Sequence, residues 1–366
     1  MGRRIRAVVL ASVCVVALGG LVPTAAAAAP ESAWFSSVSC PTATTCFAVG
    51  GSDPNDEAFV MRWADGVWSA VNLPIPGGVD TESLQAVSCA AADRCVAIGR
   101  ARTGSDVRPF VATWNGVKWT STTLAMKAQH WTFHGISCPS ASMCIAIGEV
   151  YVSDRHPFAL RKSGSTWALM GAPRTNGSVL DSVSCRTTTS CIAVGRTPKL
   201  RPYIVRWNGN GWSTMWSPMP PNRRFALLHD VVCPTATRCF AVGNVSGRNG
   251  YGFVLSWNGS GWSLVARTKT GSRNSVLSAI SCTSPTNCFA TGTESFPDYE
   301  YRTIVMRWNG TEWSRRPSPN AGQSTFLTDV ACVSATSCHA AGSWSTPGST
   351  QPFAARWDGT NWSRAL

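Results

Sequence analysis

The 366-residue chain lacks the signatures of most enzyme classes. It has no Gly-x-Ser-x-Gly, no His-Glu-x-x-His and no phosphate-binding glycine loop, so the usual serine-hydrolase, zinc-peptidase and nucleotide-binding motifs are missing. No stretch of useful length after residue 30 repeats its apolar positions at helical spacing. Charged residues are only 14% while aromatics reach 10%, which suits a β-rich body with polar, uncharged loops. No nucleic-acid-binding motif occurs, although basic residues outnumber acidic ones by 32 to 19.

Cysteine is abundant. Cys40 and Cys46 have five residues between them. The same spacing returns at Cys89 and Cys95, Cys138 and Cys144, Cys185 and Cys191, Cys233 and Cys239, Cys282 and Cys288, and Cys332 and Cys338. Successive pairs begin 47 to 50 residues apart. A fixed period of this size marks a propeller or solenoid array, in which each unit buries its apolar faces against its neighbours.

The start of the chain carries Arg3, Arg4 and Arg6, an apolar run from Ala7 to Val22, and small residues to Ala29. That order describes a secretory signal peptide, expected to cover residues 1–29. A membrane anchor is the competing reading, but the run is interrupted by Gly19 and Gly20 and falls short of the roughly 20 residues needed to span. The mature form is therefore expected to have no membrane span. Removing the three arginines lowers the formal charge from +13 to +10, and removing Cys14 leaves fourteen cysteines, all of them paired. In an exported chain such an even, regular set reads as disulfides. Zinc sites need closer ligand spacing, whereas five intervening residues suit a bridge across a tight hairpin.

The second repeat shows the grammar of a unit. Leu84–Cys89 alternates as a strand, and Cys95-Val-Ala-Ile-Gly99 is apolar throughout, as in a strand buried on both faces. A polar loop containing Gly104 and Pro109 is expected next, then Phe110–Trp114, the Asn115-Gly116 hairpin signal and a return strand from Trp119. Four antiparallel strands repeated seven times predict a seven-bladed, all-β propeller filling residues 30–366 as one domain, with one disulfide per blade. Tryptophans recur at the last turn (Trp63/Trp68, Trp114/Trp119, Trp207/Trp212, Trp257/Trp262, Trp308/Trp313, Trp357/Trp362), and read as core between blades. The third repeat has Lys162 in place of the first of its pair.

The unit Val-Ser-Cys-(x5)-Cys-x-Ala-Val-Gly … Arg-Trp-Asn-Gly-x-x-Trp-Ser resembles the repeat of secreted actinobacterial β-propeller proteins. Its last turn is similar to Asp-box and kelch turns, although Ala64-Asp65-Gly66-Val67-Trp68 meets the Asp-box pattern only in part. The resemblance spans about Trp34 to Leu366. It implies fold and export, and no particular activity.

Aligning the repeats on Val-Ser-Cys gives a column of polar residues in an apolar setting: Ser36, Gln85, His134, Asp181, His229, Ser278 and Thr328. This column is expected to face the central channel, with Asp230 and Asp329 beside it. His134, Asp181 and His229 fall in consecutive blades and could support acid–base chemistry or a metal, or simply line a wet polar channel. His339 reads as an interior histidine with its hydrogen bonds satisfied. Basic residues including Arg196, Arg201 and Arg224 gather in the loops of blades four to six, opposite Asp53, Asp56, Glu57, Asp80 and Glu82. The Asp53–Glu57 spacing matches no calcium loop.

These features favour a secreted, monomeric, non-catalytic binding module without cofactor. Its ligand would be a glycan, an anionic cell-wall polymer or an extracellular protein, held by Gln85, His134, Asp181, His229, Arg196, Arg201 and Arg224. A polysaccharide lyase working through His134, Asp181 and His229 is the enzyme alternative, and an inert scaffold a third. Unfolded but unreduced mature protein should show no titratable thiol with Ellman's reagent. Reduction should lower the melting midpoint, each short hairpin bridge being worth ~2 kcal/mol. Several free thiols would overturn the pairing.

Overall fold

The computed structural model describes residues 30 and 32–366, apart from 55–56, 127–129, 152–153, 172–176, 248, 269–273, 298–299 and 347. The expected signal segment, residues 1–29, lies outside the described residues. Among the described residues there are 28 β-strands and no helix. They form seven consecutive four-stranded antiparallel meanders, each pairing its strands in sequence order. Single parallel bridges, Val107 to His130 and Tyr301 to Ser324, join two neighbouring pairs of meanders. The first strands are Ala33–Thr42, Asp80–Ala91, His130–Ser140, Val179–Thr187, Ala226–Thr235, Asn274–Ser284 and Ser324–Ser334. They touch one another in that order, and the last touches the first. The sheets therefore stand around an axis with these strands innermost, which is the architecture of a β-propeller.

All fourteen paired cysteines form the expected bridges, with Cα atoms 4.0–4.1 Å apart. Cys89 faces Cys95 directly across the ladder, as Cys282 faces Cys288 and Cys332 faces Cys338. The two sulfurs of a bridge are not equivalent, and here the structure departs from a simple staple at a hairpin tip. Cys46, Cys288 and Cys338 are fully buried, while their partners Cys40, Cys282 and Cys332 are half-buried. The second cysteine opens the strand that is covered on both faces, so its side chain belongs to the core. Cys288 and Cys338 are therefore framework residues, out of reach of any ligand.

The expected loop after Gly99 is shorter than the sequence suggested. Arg94–Thr103 and Asp106–Trp114 pair down to Thr103 and Asp106, leaving only Gly104 and Ser105 as the turn. Pro109 lies inside the third strand, opposite Arg100. Its carbonyl accepts from the Leu124 N–H on the outer side. Backbone N and O of one residue point the same way in an antiparallel ladder, so the missing donor also faces outward, just past the end of the fourth strand, and little is lost.

Junctions between units follow one scheme. The serine of Val-Ser-Cys accepts the N–H of the first cysteine of the next unit: Ser39 from Cys89, Ser88 from Cys138, Ser137 from Cys185, Ser184 from Cys233 and Ser281 from Cys332, each at 3.0 Å. The fifth and seventh units carry Val232 and Ala331 instead, and each has an aspartate two residues earlier. Asp230 accepts the Ile280 N–H at 2.6 Å, and Asp329 accepts the Val38 N–H at 2.8 Å and the Ser37 hydroxyl at 2.7 Å. A carboxylate thus links the two junctions that lack the serine, one of which closes the ring.

Apolar packing repeats the scheme. Phe47 meets Trp114 and Trp119 of the next unit at 5.2 and 5.4 Å between ring centroids, and Phe289 meets Trp357 and Trp362 at 5.1 and 5.4 Å. His339 stands at the same position in the seventh unit and packs on Trp63 and Trp68 of the first, at 4.9 and 5.9 Å. Lys162 marks a defect in the third unit. Beside it a cavity of about 200 Å³ opens against Cys95, Trp114, Cys138 and Cys144, whereas the matching space beside Trp257 is about 20 Å³.

His339 corrects one expectation. It is fully buried, but neither ring nitrogen has a hydrogen-bond partner among the described residues. Burial, helped by the nearby Arg356 charge, pulls its pKa down from 6.5 to about 4. A histidine held neutral in this way costs the fold more as pH drops from about 6.5 to about 4, where only the unfolded chain takes up the proton. His339→Phe restores the residue used in units one, five and six. It should raise stability by about 1–3 kcal/mol, with the gain growing below pH about 6.5. Denaturant unfolding at two pH values checks this, and a variant no more stable than the parent at either would contradict it.

Candidate functional site

The channel wall is built from a register break. In every unit the ladder between first and second strands skips one residue: Ser36, Gln85, His134, Asp181, His229, Ser278 and Thr328. A bulge places two residues of one strand against one of its partner and re-aims a side chain. Here it turns both the skipped residue and its successor toward the axis. The repeated glycine of the second strand makes room for it. A Cβ on Gly50, Gly148, Gly195, Gly243, Gly292 or Gly342 would lie 1.8–2.1 Å from a carbonyl oxygen just before the bulge, and on Gly99 2.6 Å. Only glycine fits that approach.

All seven skipped residues line one cavity of about 340 Å³ on the axis, together with Asp230 and Asp329. The expected channel column is therefore in place, and His134, Asp181 and His229 share this cavity. They do not form one hydrogen-bonded set among the described residues. Asp181 is held by Arg196, whose Nη1 donates at 3.0 and 3.2 Å. The His229 Nε2 pairs with Asn244 Oδ1 at 2.7 Å. The His134 Nε2 is buried with no partner, and desolvation keeps this ring neutral by lowering its pKa, against the attraction of Asp181 and Glu149. Gln85 turns its amide back onto Ser83.

Two of the partners, Arg196 and Asn244, come from a second column, the residue after each repeated glycine: Gly51, Arg100, Glu149, Arg196, Asn244, Thr293 and Ser343. Units four and five thus pair Asp181 with Arg196 and His229 with Asn244, whereas Arg100 pairs with Glu82 at 3.0 Å and Glu149 stands 3.9 Å from Arg155. These four second-column residues stand behind the axial cavity and do not line it. Units one, six and seven offer only Gly, Ser and Thr there. Arg196, expected in a loop, ends the strand Ser190–Arg196. Arg201 and Arg224 are exposed and line no part of the axial cavity. Of the acidic set, Asp56 lies outside the described residues, while Glu57, Asp80 and Glu82 line a separate peripheral pocket. Among the described residues no group of three or more His, Cys, Asp or Glu is placed to hold a metal ion. Nor is any helix among them long and apolar enough to cross a membrane.

Asp230 and Asp329 sit deeper in the same wall. Asp230 also accepts the Ser182 hydroxyl at 2.5 Å and its neighbour's N–H at 2.8 Å. Burial first, then the Asp329 charge, raises its pKa to about 7 despite these bonds. Burial raises Asp329 to about 6. The cavity wall as a whole places larger polar side chains on one side, Gln85, His134, Asp181 and His229, with Arg196 and Asn244 bonded behind the last two.

Together, fold and cavity define a β-propeller with a one-sided polar arc at its axis. No family model matches the sequence, and no curated protein matches it. Among solved structures the chain is similar to the GH74 xyloglucanase from Xanthomonas campestris, with TM-score 0.62 and 11% identity over 93% of this chain and 55% of that one. It is similar to a PL25 ulvan lyase bound to -[GlcA(1-4)Rha3S]-, with TM-score 0.58 and 8% identity over 91% and 96% of the two chains. It is also similar to YCF48 bound to D1 peptide, with TM-score 0.57 and 13% identity over 86% and 90%. At these identities the likeness is one of fold.

The raised carboxyl pKa values fix a sign. Between about pH 4 and pH 6–7 the folded state keeps protons that the unfolded chain has released, so these two groups add stability in mild acid that fades as pH rises. Asp230→Asn and Asp329→Asn remove that contribution. The parent should therefore gain stability relative to each variant as pH falls from about 8 to about 4.5. Urea midpoints across that range test it, and a parent that loses ground to both variants would refute it.

Proposed function

We propose that the protein is a secreted, non-catalytic, seven-bladed β-propeller that binds a glycan at the axial mouth formed by units two to five. The observation that carries this is the arc of in-unit pairs, Asp181 with Arg196 and His229 with Asn244, beside His134 and Gln85 on the same cavity wall. Sugar hydroxyls both donate and accept, and a rigid wall of alternating donors and acceptors suits them without the need to reorder loops. Seven disulfides, and the resemblance of the repeat to that of exported proteins, support an extracellular setting. The xyloglucanase and the ulvan lyase show that this fold accommodates polysaccharide ligands.

The competing enzyme reading rests on one observation. The His134 ring, which lines the axial cavity and is kept neutral by burial, could take a proton while Arg196 neutralises a uronate. Product absorbing in the unsaturated-uronate band, abolished by His134→Ala, would establish it.

For the binding reading, mature protein should bind at least one class of cell-surface glycan at micromolar level on an array. Arg196→Gln and His229→Gln should each weaken that binding about tenfold, as expected for one or two lost polar contacts. Binding undiminished in both variants, or no glycan bound at all, would refute it.

A further inference from the structure

The outer connections of units four and five, up to the start of unit six, form a second surface. Segments 197–201, 216–225, 246–252 and 267–274 contain eight Lys or Arg and no Asp or Glu; of the eight, Arg248, Lys269 and Arg273 lie outside the described residues. The backbone gathers the first three segments. The Ala226 N–H donates to the Leu200 carbonyl at 2.9 Å, the Ser246 N–H to the Phe225 carbonyl at 3.2 Å, and Arg223 Nη2 to the Asn249 carbonyl at 3.2 Å. At their meeting point the guanidinium carbons of Arg223 and Arg267 lie over the Tyr251 ring, at 4.8 and 5.9 Å from its centroid.

Two guanidinium groups gathered at one ring concentrate positive charge at this point of the surface. Stacking uses the face of a guanidinium, so the edge of Arg267 can still donate, in the geometry that fits the paired oxygens of a carboxylate or sulfate. Apolar surface lies in the same segments. Trp216 is 74% exposed and Phe225 45% exposed, unlike the hairpin tryptophans, which are packed between units. Exposed aromatic faces beside guanidinium groups are unusual on a soluble surface and fit the C–H faces of sugar rings.

We propose that Arg223, Tyr251 and Arg267, with the neighbouring exposed Phe225, form a rim subsite for an anionic polysaccharide. Its sulfate or carboxylate groups meet the arginine pair, chiefly at the Arg267 edge, and its rings rest on the aromatic faces. The proposal deepens the glycan reading above by naming the charge of the polymer, and it rests on that reading. The opposite sector, with Glu57, Asp80 and Glu82, would repel the same polymer and set its direction across the face.

Three polymers test it on mature protein: dextran sulfate, carrying sulfate only; polygalacturonate, carrying carboxylate only; and neutral dextran. At least one anionic polymer should bind, more weakly as salt rises from about 50 to about 300 mM, while dextran does not. Arg267→Gln should lower the affinity about tenfold with an unchanged melting midpoint; Tyr251→Ala should lower it as well, with some loss of stability because the ring also packs on the core beneath it. Arg267→Lys should lose most of it as well, since a point charge lacks the planar fork. Arg94→Gln, which removes one exposed charge at a cysteine hairpin on the opposite face, should change it less than about twofold. Which anionic polymer binds identifies the group recognised. Equal losses from Arg94→Gln and Arg267→Gln, full retention by Arg267→Lys, or no binding of either anionic polymer overturns the subsite. Anionic binding lost with Arg196→Gln but not Arg267→Gln also overturns it, while leaving the axial site standing. Array binding of neutral glycans alone has that same meaning.

Discussion

One steric constraint organises this protein: in each unit a carbonyl oxygen passes so close to the second strand that no side chain can stand there. The glycine that permits it also permits the bulge, and the bulge points two successive residues at the axis instead of one. The polar lining of the centre follows from that doubling. One of the two positions carries the variable column with His134, Asp181 and His229. The other carries Asp230 and Asp329, which do structural work at the two junctions where serine is missing. An ordinary alternating strand would have had to choose between lining the channel and tying its neighbour down.

The same economy explains why the chemistry is one-sided. The hydrogen bonds at the junctions follow one scheme around the ring, with serine at five and aspartate at two, so each unit needs nearly the same frame residues there. The residues left to vary are the bulge position and the one after the repeated glycine. Units two to five place charged or amide side chains at both, and the remaining units place Gly, Ser or Thr. The rim follows the axial pattern in part, since Arg196 belongs to the fourth unit, which also begins the acid-free sector.

Much of this was legible in the sequence because it repeats. The cysteine spacing carried the hairpins and their bridges, the Asn-Gly turns carried the outer strands, and a polar residue lodged in an apolar run marked the channel column. Other features were hidden for physical reasons. Spacing alone does not say which sulfur of a pair is core, and burial of Cys288 and Cys338 follows from the covered strand they open. Arg196 looks like a loop residue because it follows a glycine, yet that glycine serves close approach and the strand runs on through it. Asn244 and Glu149 were missed for the same cause. Pro109 suggested a loop because proline usually breaks a ladder, but its nitrogen points to an unoccupied edge. His339 looked satisfied by analogy with other buried histidines. Its neighbours are two tryptophan rings, which accept burial without offering a hydrogen bond.

At the closing junction Asp329 reaches Val38, the Thr328 hydroxyl donates to the Phe35 carbonyl at 2.8 Å, and His339 packs on Trp63. Among the described residues no strand is exchanged between the seventh unit and the first. Side chains make this seam in the same manner as at the other junctions, and each meander completes its own ladder. The polypeptide's linear order is therefore incidental to the ring: tethering Leu366 to Ala33 and cutting any other connection would give a circular permutant with every seam preserved.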